Sequence, residues 1–384
     1  MTDPGRIYFD HNATTPLRPE ALRALSGACA SGWGNASSLH AEGRAARALL
    51  ERARDEVAEL VGAAPREVVF TSGGSEAIAA AIRGVLDRVP ASRRRVVVSS
   101  VEHSAILEAA RVASRNGFVI DVVACGTDGR VTADSFVRAL ADDVALVCLQ
   151  WANNETGVIQ PVEEVGRACR RAGVPFLVDA VQAAGRLPID MRACFADMLA
   201  LSGHKLGGPQ GTGALLVRTG IVLAPLIAGG AQERRRRAGT EAVASIAGFG
   251  AAAAAARSSR AAEAERLLKL RARLETRLRE MFSSIRIHGE SAPRLPNTVS
   301  FSLPGVAGEL LAVALDLAGV AVSTGSACAS GAVEPSHVLV AMGLGEEQAR
   351  TALRVSLGWN SSAPEVDRLL EILPGVVGRL RSPA

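Results

Sequence analysis

Val68-Val69-Phe70-Thr71-Ser72-Gly73-Gly74-Ser75-Glu76 is the stretch whose reading decides the fold. Its β-branched and aromatic start favours an extended strand. Two glycines flanked by serines break that strand, and a helix is expected after Ser75. The same unit repeats outward from about residue 65 to 218. Val96-Val97-Val98-Ser99 precedes a helix from about Ser104 to Arg115, and Val119–Val123 follows. Val144–Gln150 precedes a helix near Val162–Arg171. Phe176-Leu177-Val178, Met198-Leu199-Ala200-Leu201 and Ala214-Leu215-Leu216-Val217 complete the series. Near-continuous apolar strands alternating with helices predict a mostly parallel α/β sheet covered on both faces.

Beyond this sheet, the Ala/Arg/Glu-rich segment Ala242–Met281 reads either as one helix or as two that break near Ser258. Strand-like Asn297–Leu303, a helix near Gly308–Ala318 and strand-like Ala352–Leu357 then suggest a smaller α+β unit. The division expected is a large domain over 16–255 and a small one built from 1–15 and 256–384. A length of 384 residues suits two closely packed domains.

Composition narrows the function. Aromatics are 3% of the chain and the formal charge is +4, so base-stacking on nucleic acid is not expected. The Ala-rich runs carry Arg at short intervals, and no membrane span is expected. The start Met1-Thr2-Asp3-Pro4 lacks signal-peptide features, and a cytoplasmic location is expected. None of the six cysteines forms a C-x-x-C pair, so no metal site is expected. Five lie in apolar or helical surroundings, where Cys usually acts as a small buried hydrophobe. Cys328 lies instead in Ser323-Thr324-Gly325-Ser326-Ala327-Cys328-Ala329-Ser330-Gly331, small residues that read as an exposed loop.

Of the 43 basic residues only Lys205 and Lys269 are lysines. Arg serves nearly every generic positive charge, so a lysine is a candidate for imine chemistry, which a guanidinium cannot do. Lys269 sits in a charged amphipathic helix pattern and is expected to be solvated. Lys205 sits in the turn Ser202-Gly203-His204-Lys205-Leu206-Gly207-Gly208-Pro209, where a functional role is expected.

Ligands of open α/β sheets bind beyond the C-terminal strand ends. There the chain places Thr71–Glu76, whose backbone N–H groups and helix dipole favour an anion. It also places Glu102-His103, Asn153-Asn154-Glu155 and Asp179 there. The glycine-rich run 207–213 precedes a strand instead of following one, so it is not read as a dinucleotide loop. Singly, each polar residue reads as a cap or a satisfied core group. Together, an anion cradle, a carboxylate, a His and an imine-capable Lys suit pyridoxal phosphate (PLP), whose phosphate, ring nitrogen and aldehyde need those groups.

Motifs along nearly the whole chain then carry a specific resemblance. They are Tyr8-Phe9-Asp10-His11-Asn12-Ala13-Thr14-Thr15-Pro16, Gly34-Asn35-Ala36-Ser37-Ser38-Leu39-His40, Phe70–Glu76, Glu102-His103 and Asn153-Asn154-Glu155-Thr156-Gly157. Val178-Asp179-Ala180-Val181-Gln182, Ser202–Lys205, Arg237-Ala238-Gly239-Thr240, Gly325-Ser326-Ala327-Cys328 and Leu353–Gly358 follow in order. The sequence resembles cysteine desulfurases of the NifS/IscS type, within the fold-type I PLP enzymes. It departs from their pattern at Gly74-Ser75-Glu76-Ala77-Ile78, where Ala77 and Ile78 replace polar groups.

The resemblance implies L-cysteine as substrate, L-alanine as product and a persulfide on Cys328. It implies that Lys205 attaches PLP and moves the α-proton, that Asp179 pairs with the ring nitrogen, and that His103 stacks on the ring and assists proton transfer. Gln182 and Asn154 would lie near the phenolate oxygen. Gly74, Ser75, Ser202 and His204 would hold the phosphate, with Thr240 supplied to the partner subunit of a homodimer. Arg354, with Asn35 a lesser candidate, would take the substrate carboxylate, and Asn154 would also contact the substrate. A sulfur acceptor or iron–sulfur scaffold protein is implied as partner. The rival readings are a selenocysteine lyase, another fold-type I lyase or aminotransferase, and a catalytically idle scaffold. An aminotransferase needs no thiol at Cys328.

Overall fold

The structure, a computed structural model, describes residues 5–324 and 334–381. Its strands are β1 (Ile7–Tyr8), β2 (Val68–Thr71), β3 (Arg95–Ser99), β4 (Val119–Val123), β5 (Val144–Gln150) and β6 (Phe176–Asp179). They continue as β7 (Met198–Ser202), β8 (Gly213–Val217), β9 (Arg286–Ile287), β10 (Thr298–Ser302), β11 (Val320–Ala321) and β12 (Ala352–Ser356).

Strands β2 to β8 form a seven-stranded sheet in the order β2-β8-β7-β6-β5-β3-β4. The pairs from β4 to β7 are parallel, while β8 runs antiparallel to both β7 and β2. Six strands therefore end at one edge, where β8 begins. Alternation splits the central strands between two cores. Val147, Leu149, Val178 and Leu199 pack on one face, and Leu146, Cys148, Leu177 and Met198 on the other. At about 25 cal/mol per Å² of apolar surface, these two faces are the main stabilising term. This is the α/β arrangement that the alternation predicts.

A separate core joins Ile7 and Phe9 to Leu267, Leu274, Val299, Phe301, Val355 and Leu373, around the sheet β12-β10-β9. One 39-residue helix, Val243–Met281, runs from the first core to this one. Of the two readings, the single helix holds, with no break at Ser258. The Ser258 and Ser259 hydroxyls donate back to the Ala255 carbonyl at 3.0 and 2.8 Å, which satisfies them inside the helix. The buried-cysteine reading also needs a correction, since Cys29 is exposed on the helix Pro19–Ser31 and Cys125 is half-buried. Among the described residues, no helix is long and apolar enough to cross a membrane.

Candidate active site

The sheet edge positions the site. Past Thr71, Ser72–Ser75 turn into the helix Gly74–Leu86. Past Ser99 come Glu102 and His103, past Gln150 comes Asn154, and β6 ends on Asp179 with Gln182 beyond. Past Ser202 a short 3₁₀ turn, Gly203–Lys205, carries Lys205. These segments, with Asn12–Thr14 and Arg354, line one cavity of about 600 Å³. Close backbone approach shapes it: a Cβ on Gly213 would meet Gly73 Cα at 2.6 Å.

Lys205 Nζ donates to the carbonyls of Asn12 and Ala13, both at 2.5 Å. His103 caps the helix Ser104–Arg115, its Nδ1 accepting from Ala105 N–H at 3.1 Å. The neutral ring therefore carries its proton on Nε2. Burial lowers the His103 pKa, an effect that Asp179 opposes. Burial raises the pKa of Asp179, opposed by His103, by the Val181 N–H donated to its Oδ1 at 2.9 Å, and by Lys205. A cationic heteroaromatic N–H beside Asp179 would reverse that desolvation penalty. Burial, with Asp179 nearby, also pushes the Glu102 carboxyl up to about 8, against hydrogen bonds from Ser99 and Gln150. His204 falls to about 4 through burial and then the Lys205 charge; its Nδ1 lies 3.0 Å from Thr14 Oγ1.

Arg354 is 3% exposed. Its Nη2 donates to Asp10 Oδ1 at 2.6 Å and its Nη1 to the Asn154 carbonyl at 3.2 Å. Its buried Nε has no partner among the described residues. An orphaned donor edge on a fixed guanidinium suits a carboxylate.

The Gly74 wall of the cavity suits an anion such as a phosphate. The first N–H groups of the helix Gly74–Leu86 have no intrahelical acceptor, and the helix dipole favours an anion there. Gly74 admits it closely, since a Cβ there would meet Val181 Cγ2 at 2.8 Å. Glu76, beside the cradle, is neutralised by Arg237 Nε at 3.0 Å and accepts from Ser72 N–H at 2.7 Å.

Of the residues singled out from sequence, the cavity gathers Gly74, Ser75, His103, Asn154, Asp179, Gln182, Ser202, His204, Lys205 and Arg354. Asn35 is not in its lining; its Oδ1 accepts from Ser37 N–H on an exposed turn. Thr240 is exposed and also outside the lining. Cys328 lies outside the described residues. Sequence reasoning gave no role to Asn12, Thr14 or Glu102, although they fall in the quoted motifs. Nothing in the sequence marked Arg186, which donates to the Gln182 side chain at 3.1 Å.

Comparison with known proteins agrees with this geometry. The chain belongs to the aminotransferase class-V family, whose model matches residues 7–369. Within that family it stands among the PLP-dependent cysteine desulfurases. It is 46% identical to a cysteine desulfurase of Cereibacter sphaeroides, covering 98% of this chain and 97% of the relative. It is 42% identical to an IscS-like cysteine desulfurase of Mycobacterium tuberculosis, covering 98% of each. Among solved structures, a NifS-like protein superposes with a TM-score of 0.91 at 33% identity, over 97% of this chain and 100% of that one. SspA in complex with cysteine superposes with a TM-score of 0.80 at 31% identity, over 91% and 98%.

Proposed function

We propose that this single cavity takes both PLP and L-cysteine, with the work divided among the residues that line it. The observation that carries the proposal is the meeting of Lys205, Asp179 and His103, from the ends of the large sheet, with Arg354 of β12 and its unpartnered Nε around one cavity. PLP, when bound, supplies a sink for the electron pair left as the substrate Cα–H bond breaks. Lys205 attaches the coenzyme and carries that proton on Nζ. Asp179 faces the ring nitrogen, and His103 covers the ring. Gln182 and Asn154 lie by the phenolate oxygen. Ser75, Ser202, His204 and the Gly74 backbone hold the phosphate. Arg354 fixes the substrate carboxylate. Asn35 remains a lesser candidate for that carboxylate.

Sulfur transfer needs a nucleophile, and Cys328 is assigned that role. Its thiolate attacks the sulfur of the bound cysteine. The new bond is S–S, and the Cβ–S electron pair stays with carbon and ends as a C–H bond of alanine. The persulfide must be removed before the next turnover, so a thiol-bearing acceptor is needed. We assign that role to an acceptor protein in iron–sulfur assembly or thiolation. A reducing cytoplasm would keep the Cys328 thiol available. A homodimer, with Thr240 reaching the partner's phosphate, fits a loop whose shape is fixed. Glu233, Arg234 and Arg235 hold left-handed φ of 44°, 56° and 63°. Glu233 pays for that strain by accepting from Arg54 at 2.8 Å and from Phe70 N–H at 2.9 Å.

Two variants test the reading. Lys205→Ala is expected to purify colourless and release no alanine from L-cysteine. Cys328→Ala is expected to stay yellow yet form no persulfide. Full sulfur release by Cys328→Ala would overturn the assignment.

A further inference from the structure

Gln182 lies on the cavity wall, and its amide orientation is forced. Its Oε1 lies 3.1 Å from Arg186 Nη1, which also donates to the Gln182 carbonyl at 2.7 Å. Its Nε2 lies 2.9 Å from the Asn12 carbonyl. A guanidinium only donates and a carbonyl only accepts, so the amide oxygen must face Arg186 and the nitrogen must face Asn12. The second Nε2–H is then left for the cavity. The Asn12 carbonyl is shared with Lys205 Nζ, so Arg186, Gln182, Asn12 and Lys205 form one continuous network.

Arg186 is built to stay in this role. Its Nη2 reaches the His11 carbonyl at 3.5 Å, and its side chain lines a second cavity of about 40 Å³ beside Lys205, Arg18 and Glu263. Arg18 is itself bound by Glu263 through two contacts of 2.8 Å. Arg186 is pushed down to about 10 by burial and then Arg18, against Glu263, with Arg354 adding to the depression. It still carries its proton at neutral pH and cannot become an acceptor.

We infer that Arg186 is a positioning residue: by occupying the oxygen edge of the Gln182 amide, it presents an N–H donor to the cavity and so selects an acceptor oxygen on the coenzyme ring there. Without Arg186 only the Asn12 carbonyl, which Lys205 shares, would hold the amide, and a flipped Gln182 would turn its own carbonyl toward that oxygen and repel it. The inference rests on the proposal that Gln182 faces the coenzyme, and the test separates the two.

The holoenzyme is compared as wild type, Gln182→Ala, Arg186→Met and the double variant. The readouts are the visible band of bound coenzyme, its dissociation constant and the melting temperature. Gln182→Ala and Arg186→Met are each expected to move the band in the same direction and raise the dissociation constant about tenfold, as loss of one hydrogen bond does. The double variant is expected to match Gln182→Ala, because Arg186 acts through that amide. Arg186→Lys, still a donor-only cation, is expected to keep the wild-type band. Should Arg186→Met fail to fold, Arg186→Gln carries the same test, since Gln both donates and accepts. A lower melting temperature with an unmoved band and affinity in Arg186→Met or Arg186→Gln, or additive effects in the double variant, overturns the inference alone. A silent Gln182→Ala overturns the reading of Gln182 and the inference with it.

Discussion

Two regions supply the walls of the active site by different physical means. The C-terminal ends of β2, β3, β5, β6 and β7 supply side chains. Register fixes each one: β5 pairs Gln150 with Asp179 on β6, and β6 pairs Asp179 with Ala200 on β7. The segment 10–14 comes from the far end of the chain and supplies mostly backbone. The Asn12 carbonyl accepts from Lys205 and Gln182, and the Ala13 carbonyl accepts from Lys205. Buried side chains hold that backbone in place. Asn12 N–H reaches Ser356 Oγ at 2.9 Å, and Asn12 Nδ2 reaches Thr298 Oγ1 at 2.9 Å and the Asn154 carbonyl at 3.0 Å. The difference teaches that strand ends set the chemistry, while the arm sets the pose of the groups that perform it.

The sharpest test strikes a strand end. Asp179→Asn keeps the shape of the side chain and removes its charge, so the ring nitrogen of the coenzyme proposed to sit there would lose its counter-charge. We expect kcat for alanine release to fall about a thousandfold while coenzyme remains bound. A fall of less than tenfold would mean that the strand-end carboxylate is not the chemical centre, and the contrast between the two regions would collapse.

A second strand-end test uses pH. Glu102 is raised from 4.5 to about 8 by burial, so the folded protein keeps a proton there that the unfolded chain has already lost. Its contribution is fully present below about 4.5 and is lost as pH rises toward 8, because the unfolded state then binds fewer protons. Glu102→Gln removes that loss. Denaturant unfolding at pH 5 and pH 8 should show the variant gaining on wild type at pH 8. Parallel behaviour at both pH values would show that Glu102 ionises like an exposed carboxyl.

This contrast also explains what could be read from the sequence. The sheet was legible because buried parallel strands are short apolar runs, and their ends fall next to turn residues such as Ser72-Gly73. Lys205 and Asp179 were legible because a lone turn lysine and a strand-terminal carboxylate are out of place structurally. The role of Asn12 was not, because its contribution is a carbonyl, which every residue has. Arg186 was hidden among dozens of arginines, and only the tertiary approach of Gln182 distinguishes it. The choice between one helix and two at Ser258 was hidden for a related reason: local sequence does not show that the two serine hydroxyls are satisfied by the Ala255 carbonyl while the helix continues between the two cores.

The smallest effect is expected in the arm. Asn12 is 1% exposed, and its side chain also accepts from Asn297 Nδ2 at 3.0 Å. Asn12→Ala deletes three side-chain hydrogen bonds and leaves the Thr298 hydroxyl and Asn297 amide to find new partners. Asn297 keeps one through the Leu357 carbonyl at 3.1 Å, so the loss falls short of three full bonds, at about 2 kcal/mol. Thermal or denaturant unfolding measures it directly. Activity should fall only modestly, because the Asn12 carbonyl that Lys205 uses belongs to the backbone and survives the substitution. A large loss of kcat with little change in stability would instead give the Asn12 side chain a part in the chemistry, and the division of labour between arm and strand ends would have to be redrawn.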